Sequence, residues 1–208
     1  MALRLSVILT ALLLTAACSN PASDKPKATT AEAVASASST PVQGEKYLIT
    51  NDNSKIEFVA SKVTGSHNGS FGKFSGEINF SGQPEKSRVA VTIDMTSVAT
   101  DTPQLTQHLK TADFFDVTKY PQATFESTEI RPGGEKGATH TVTGNLQLHG
   151  VKKAITFPAT ISLEGSEVTV TSTFAINRKD FGINYAGPAD NLIRDDVGLT
   201  LRIRGTKG

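Results

Sequence analysis

The chain has 208 residues, enough for one domain of ordinary size with additional segments. Its 21 lysines and arginines nearly balance its 20 aspartates and glutamates, which argues against a nucleic-acid binder because such a protein carries a basic surface. The single cysteine, Cys18, excludes an internal disulfide framework.

The N-terminus has the pattern of a secretory signal peptide. Arg4 supplies a short positive region, and the apolar run from Leu5 to Leu14 is too short to span a bilayer. Small residues then lead to Cys18, an arrangement that resembles the signal of bacterial lipoproteins, in which the cysteine is lipid-modified and becomes the first mature residue. The resemblance implies a signal peptide over residues 1–17 and a lipid anchor at Cys18. The alternative is an ordinary signal peptide with an incidental cysteine.

Residues 18–45 are predicted to form a flexible tether that joins this anchor to a domain of residues 46–208. The tether is rich in Ala, Ser, Thr and Pro and contains no aromatic residue, so it cannot bury enough apolar surface to fold. A serine follows Cys18, which by resemblance to lipoproteins favours sorting to the outer membrane. We therefore expect a protein of the bacterial periplasm that is anchored to the membrane by its N-terminal lipid.

From Lys46 onward, apolar and polar residues alternate with a period of two in one segment after another. Such alternation is typical of antiparallel strands with one buried face, and turn sequences separate the segments. The predicted strands cover 54–61, 73–80, 89–95, 123–130, 142–149, 155–163, 168–176 and 199–203.

About eight strands joined by hairpins predict an all-β fold in which one antiparallel barrel closes and leaves no exposed strand edge. A sandwich of two sheets is the alternative. One segment departs from the alternation: a proline at a first helical turn and Leu105 and Leu109 at helical spacing predict one short helix over 103–112. Phe114 and Phe115 follow and are expected to lie against one end of the barrel.

The sequence carries no recognisable catalytic or metal-binding motif. Its four histidines lie far apart, and no cysteine remains in the domain to complete a zinc site. Adjacent Asp195 and Asp196 would point to opposite faces of a strand, so turn capping or pairing with Arg178 or Arg194 is favoured over acid–base catalysis. We therefore expect neither an enzyme nor a bound metal or cofactor.

The stretch GSHNGSFGKFSGEINF, residues 65–80, admits several interpretations. A phosphate-binding loop is disfavoured because no helix pattern follows it. A turn at 65–69 is expected to lead into a strand whose glycines provide either curvature or room for a ligand, and the residues alone leave both open. One face of that strand carries Gly72, Phe74, Gly76, Ile78 and Phe80.

Several segments in order resemble the YceI-like family over about residues 46–204. They are the stretch just described, VAVTIDMTSVATD, HLKTADFFDVTKYPQATFEST, VTGNLQLHGVKKAITFPATI and FAINRKDFGI. The resemblance implies a lipocalin-like, eight-stranded antiparallel barrel with a helical insertion and a periplasmic location. It also implies a ligand class, because some members carry a long-chain isoprenoid, such as a polyprenyl or quinone-type lipid, in the barrel lumen.

The resemblance favours a lumen that holds a ligand, since an eight-stranded barrel can just enclose one slender molecule. Leu105, Leu109, Phe114 and Phe115 are candidates for a lid, and His67 for contact with a polar headgroup, with an exposed turn histidine as the alternative. The candidate lining residues, each of which also fits ordinary core packing, are Phe58, Gly72, Phe74, Gly76, Ile78, Phe80, Val91, Ile93, Phe125, Leu146, Phe157, Ile161, Phe174 and Ile176.

Two functions follow from these observations. The first is the binding of an isoprenoid-type amphiphile in the lumen for sequestration or carriage in the cell envelope. The alternative is a non-catalytic stress or interaction protein built on a solid barrel. A homodimer is compatible with either function.

Overall fold

The segments of alternating polarity form strands in the computed structural model, which describes residues 20–35 and 44–208. The predicted signal peptide and the predicted lipidation site, Cys18, lie outside these residues. The elements are β1 (Thr29–Glu32), β2 (Glu45–Thr50), β3 (Lys55–Lys62), β4 (Gly65–Phe71), β5 (Phe74–Phe80), β6 (Arg88–Asp94), β7 (Val98–Thr100), α1 (Pro103–Leu109), β8 (Gln122–Pro132), β9 (His140–Leu148), β10 (Val151–Glu164), β11 (Glu167–Asn177) and β12 (Asp196–Lys207).

The sheet closes into a barrel of eight antiparallel strands, three of which are interrupted. β2 and β3 together form one barrel strand, which pairs with β12. β4 and β5 form the second barrel strand, with β4 paired to β3 and β5 to β2. β7 and β6 form the third, with β7 paired to β4 and β6 to β5. β8 to β12 complete the circle in chain order, and β12 returns to β2 and β3. The predicted eight-stranded barrel with one short helix is therefore confirmed.

The interruption in the second barrel strand lies at Gly72, not at 65–69. The expected turn at 65–69 was wrong, because these residues belong to β4 and pair with β3, and Gly69 also pairs with β7. The stretch has polar side chains on both faces, so no alternation indicated a strand. Backbone pairing with two neighbours stabilises it without an apolar face.

The helix α1 ends at Leu109, three residues earlier than predicted. The chain tightens there, since the N–H of Lys110 donates to the carbonyl of Gln107 at 3.1 Å and that of Phe115 returns to the carbonyl of Leu109 at 3.0 Å. This compact turn buries Leu109 and Phe114 against the end of the barrel. The predicted contact of the helix with a barrel end is thus observed.

The described part of the predicted tether lies on the barrel instead of extending into solvent. β1 pairs with β10, and the N–H of Ala28 donates to the carbonyl of Ala175 in β11 at 2.8 Å. Side-chain burial, on which the prediction of a tether was based, is small in this segment. Backbone hydrogen bonds to strand edges are what hold this segment, and composition does not reveal them.

Two glycines in the barrel wall lie directly beneath aromatic rings. A methyl group at Gly69 would overlap the ring of Phe58, and one at Gly144 would overlap the ring of Phe125 and approach the carbonyl oxygen of Glu126 to 2.6 Å. The rings can therefore lie against the wall, an arrangement known to stabilise glycines in sheets.

Gly144→Ala is expected to lower the free energy of unfolding by about 1–3 kcal/mol, because the carbonyl of Glu126 belongs to the backbone and cannot move aside easily. Gly65→Ala is the control, since a methyl group there has no atom within 4 Å, and its expected effect is below about 0.5 kcal/mol. Urea unfolding followed by circular dichroism measures both. Equal stabilities of the two variants would contradict the account of Gly144.

Candidate functional site

The barrel encloses an apolar cavity of about 220 Å³. One water molecule needs roughly 15 Å³ on the same scale, so the lumen is not a packed core throughout. Alternate residues from the barrel strands form the wall, joined at one end by the last residue of α1, the segment after it, Ile183 and Ile193. Arg178 is the one charged residue on the wall among the residues that the structure describes. A solid barrel, as the alternative function requires, is not what the structure shows.

Several wall residues point into the barrel and yet keep part of their surface uncovered. Leu146, Leu199, Leu201, Val91 and Ile93 are all only partly buried although they line the lumen. Because they face inward, the uncovered surface faces the cavity. Such surface gains free energy when an apolar ligand covers it, at about 25 cal/mol per Å².

The end of the barrel away from α1 is filled by ordinary core packing. Tyr47, Ile49, Ile78 and Phe80 are almost completely buried there, and the rings of Tyr47 and Phe80 meet edge to face at 6.1 Å. The cavity is therefore closed at this end and extends toward α1.

Most of the predicted lining residues reach the cavity, and five do not. Phe74, Ile78 and Phe80 are buried in the core beside it. Gly72 donates its N–H to the carbonyl of Ser97 at 3.2 Å in the break between β4 and β5. The residues that line the cavity as predicted are Phe58, Val91, Ile93, Phe125, Leu146, Phe157, Ile161, Phe174 and Ile176.

Gly76 does not open the lumen as expected. A methyl group there would overlap the carbonyl oxygen of Ala90 and lie 3.0 Å from Cγ2 of Val91. The glycine therefore permits close approach of β5 and β6, a role that its position on the inward face could not distinguish from room for a ligand.

The predicted lid covers the cavity at the helical end. Leu109, Phe114 and Phe115 line the lumen. Leu105 packs against the core cluster that contains Leu109 and Phe114 but does not reach the lumen. The rings of His108, Phe114 and Tyr185 form a mutual edge-to-face cluster with centroid distances of 5.0–5.3 Å. His108 is fixed in turn by Asp113, whose Oδ2 lies 2.8 Å from Nε2.

His67 is absent from the cavity wall and joins β4 to the loop before α1. Its Nδ1 lies 2.8 Å from Oδ1 of Asp101, while the backbone N–H of Asn68 donates to Oδ2 at 2.9 Å. The hydrogen bond from the backbone of Asn68 is the largest cause, and the contact with His67 the next, of a pKa of Asp101 below its ordinary value. The arrangement gives His67 a structural role at this junction, and its contact with a headgroup stays a prediction.

Arg178 is a cavity residue that the sequence argument missed. Its guanidinium donates to the carbonyls of Ile183 at 2.6 Å and Arg194 at 3.2 Å and to Oδ1 of Asp195 at 3.2 Å. Burial lowers the pKa of Arg178, and the charge of Asp195 opposes that effect. The predicted pairing with Asp195 is observed. A signal for its place in the cavity existed, because Arg178 is the next inward position after Phe174 and Ile176.

Arg178 thereby holds the loop of residues 183–195 over the helical end of the lumen.

No cluster of three or more His, Cys, Asp or Glu side chains that could hold a metal ion occurs in residues 20–35 and 44–208. In the same ranges no helix has the length and apolar character required to cross a bilayer. The arrangement supplies an apolar enclosure with a structured cover.

These features define a small β-barrel protein whose interior is an apolar cavity capped by a helix and two loops. The model of the YceI-like domain family matches residues 47–204, and the chain belongs to this family. A UPF0312 protein of Pseudomonas putida is 36% identical over 138 residues, which cover 63% of this chain and 71% of that protein. One of Pseudomonas fluorescens is 33% identical over the same shares of both chains.

Solved structures share the fold. The BcnA protein of Burkholderia cenocepacia superposes with a TM-score of 0.67 at 26% identity, over 76% of this chain and 99% of that one. A domain from Saccharophagus degradans, described as polyisoprenoid-binding and implicated in plant cell wall breakdown, gives 0.63 at 20% identity, over 79% and 99% of the two chains. The second similarity shows the fold alone.

Arg178→Gln is expected to lower the free energy of unfolding by about 3 kcal/mol, because it leaves buried carbonyls and the carboxylate of Asp195 without their donor. Arg131→Gln is the control. Arg131 is exposed, and its Nε lies 3.5 Å from Oε2 of Glu129 in a surface ion pair, which contributes about 0–1 kcal/mol. Guanidinium chloride unfolding compares the two. A loss no larger for Arg178 than for Arg131 would refute the bracing role.

Proposed function

We propose that this protein binds one long-chain apolar amphiphile, an isoprenoid such as a polyprenyl or quinone-type lipid, in the barrel lumen and sequesters or carries it. The observation that carries the proposal is the apolar cavity inside the barrel, where several wall residues point inward and remain partly uncovered. Burial of an apolar chain stabilises the complex by about 0.8 kcal/mol for each methylene group.

The shape of the site supports a slender ligand over a compact one. Eight strands give a lumen just wide enough for one small ligand, and one end is filled by core residues. A flexible chain can follow such a narrow space, whereas a fused ring system requires width. The fold is shared with a domain described as polyisoprenoid-binding, so the isoprenoids are the ligand class to test first.

The proposal includes a lipid anchor at Cys18 and a place in the bacterial envelope. Its support is the N-terminal sequence alone: a positive residue, an apolar run, small residues and then cysteine. An acyl chain on Cys18 would add about 0.8 kcal/mol of membrane affinity per buried methylene. The ligand would then be exchanged close to a bilayer.

Lipid extracted from purified protein tests the binding function directly. Organic extraction and mass spectrometry are expected to recover an isoprenoid lipid near one molecule per chain. Leu146→Trp, which fills the lumen, is expected to reduce the recovered amount about tenfold. Leu192→Trp places the same side chain on the surface, where Leu192 is 48% exposed, and should retain the lipid.

Thermal unfolding of both tryptophan variants confirms that each remains folded. Recovery of no lipid from the wild-type protein, together with no uptake of added isoprenoid alcohols, would reject the function. Equal lipid content in the two variants would place the ligand outside the lumen.

Cys18→Ser tests the anchor. The substitution removes the thiol to which a lipid is attached, so the protein is expected to move from the membrane fraction to the soluble fraction of the expressing bacterium. The mass of the wild-type N-terminal peptide should exceed that of the unmodified peptide by the attached acyl groups. An unmodified Cys18 in the membrane fraction would contradict the anchor and leave the lumen proposal intact.

A further inference from the structure

One junction of the barrel is incomplete. β10 and β11 pair only through Thr160–Glu164 and Glu167–Thr171, whereas β11 pairs with β12 along its whole length. Before Thr160 the two strands diverge, and Pro158 lies at that point. The carbonyl of Pro158 accepts from the hydroxyl of Ser172 in β11, but a proline has no N–H to donate to the same edge. The sequence thus ends the β10–β11 ladder at this place.

The N-terminal segment, residues 26–34, occupies the gap that results. β1 pairs antiparallel with Lys153–Thr156 of β10, and Lys27 forms a parallel bridge with Ala175 of β11. The N–H of Ala175 donates to the carbonyl of Pro26, and the N–H of Ala28 to the carbonyl of Ala175, both at 2.8 Å. The edges of two barrel strands are therefore satisfied by a segment that lies outside the matched family domain.

The N-terminal segment packs directly behind the wall of the lumen. Ala28 is buried and packs in the core cluster that contains Ile155, Phe157, Phe174 and Ile176, which themselves line the cavity. Its methyl group and the surrounding backbone therefore close the seam between β10 and β11 from outside. Removal of the segment would expose cavity-lining side chains at the barrel surface.

Few buried side chains attach the N-terminal segment to the barrel. Ala28 is buried and Thr30 is partly buried, whereas the other side chains from Lys27 to Val34 are exposed. Beyond the backbone pairing, the buried amide of Asn145 donates to the carbonyl of Val34 at 2.7 Å and accepts from the N–H of Val34 at 3.0 Å. Two ion pairs on the surface add to this contact, Lys27 with Asp196 at 2.8 Å and Glu32 with Lys153 at 3.3 Å, and exposed pairs of this kind contribute about 0–1 kcal/mol. Segments with few buried contacts are the ones that open without global unfolding.

A polar groove leads to the same seam from outside. It lies at the margin of the N-terminal segment, with a volume of about 390 Å³, and its walls include Lys25, Pro158, Ser172 and Leu201. Leu201 also lines the lumen. The groove and the cavity are thus separated by little more than one layer of side chains.

We propose that the seam between β10 and β11 is a lateral portal into the lumen, closed in this structure by the N-terminal segment. When residues 26–34 detach, an apolar chain passes sideways between the two strands while the other barrel junctions stay paired. The proposal rests on the proposed binding function. Cys18 precedes Pro26 by eight residues, a span of at most about 29 Å, so an acyl anchor at Cys18 would hold the start of this segment near the bilayer.

A disulfide that fixes the N-terminal segment to β10 tests the portal. Ala31 and Ala154 are directly opposed, and such a separation suits a disulfide, so Ala31→Cys with Ala154→Cys locks the segment in place. The control pair, Ser162→Cys with Thr169→Cys, joins β10 to β11 where these two strands already pair. Both are made with Cys18→Ser, so that no other thiol is present.

The measurement is the rate at which all-trans-retinol, a fluorescent isoprenoid alcohol, moves between phosphatidylcholine vesicles and the protein. The oxidised seam pair is expected to slow uptake and release about tenfold or more without a change in the amount bound at equilibrium. Reduction restores the rate, and the control pair changes it less than about twofold. An unchanged rate in the oxidised seam pair overturns the portal.

The hydrogen-exchange rates of backbone amides test the portal without any ligand. The amides of Ala28 and Ala175 are expected to exchange about tenfold or more faster than those of Ile130 and Val142, which pair within the β8–β9 junction. Equal protection overturns the portal even if retinol binds. Failure of the wild-type protein to bind retinol or native lipid counts against the proposed function instead, so the two failures are distinct.

Discussion

Each edge of a β-strand presents a row of N–H and C=O groups that must be paired, and the architecture of this protein follows from that constraint. The meander of hairpins satisfies the inner strands one after another, and β12 satisfies the last edges by returning to β2 and β3. Where Pro158 interrupts the β10–β11 ladder, the N-terminal segment supplies the missing partners. The lumen exists because the sheet closes in this way.

Closure brings together side chains that are far apart in the sequence, and their sizes decide what the barrel encloses. Near Tyr47 and Phe80 the inward side chains meet and fill the space. Toward α1 the rings of Phe58 and Phe125 lie against Gly69 and Gly144, and a cavity remains between opposite walls. Arg178 then fixes the loop that covers this end through backbone carbonyls and Asp195.

Period-two alternation predicted the strands well because it is a local property that does not depend on the rest of the fold. The same pattern assigned Phe157 and Phe174 correctly to the inner face. It failed at residues 65–69, where a strand has polar residues on both faces, and at Gly76, where glycine serves a close approach of strands. It also gave no sign that residues 27–32 would pair with the barrel, since backbone pairing leaves little trace in composition.

The sequence by itself determined the eight alternating strands, the short helix that begins at Pro103, the family to which the domain belongs and the apolar character of the inner face. Only the tertiary structure decided which inward side chains meet and which leave a cavity, because that depends on distances across the barrel between residues such as Leu146 and Leu201. It also decided that the N-terminal segment completes the wall. An unpaired strand edge arises only when the barrel has formed, so its partner cannot be inferred from the segment alone.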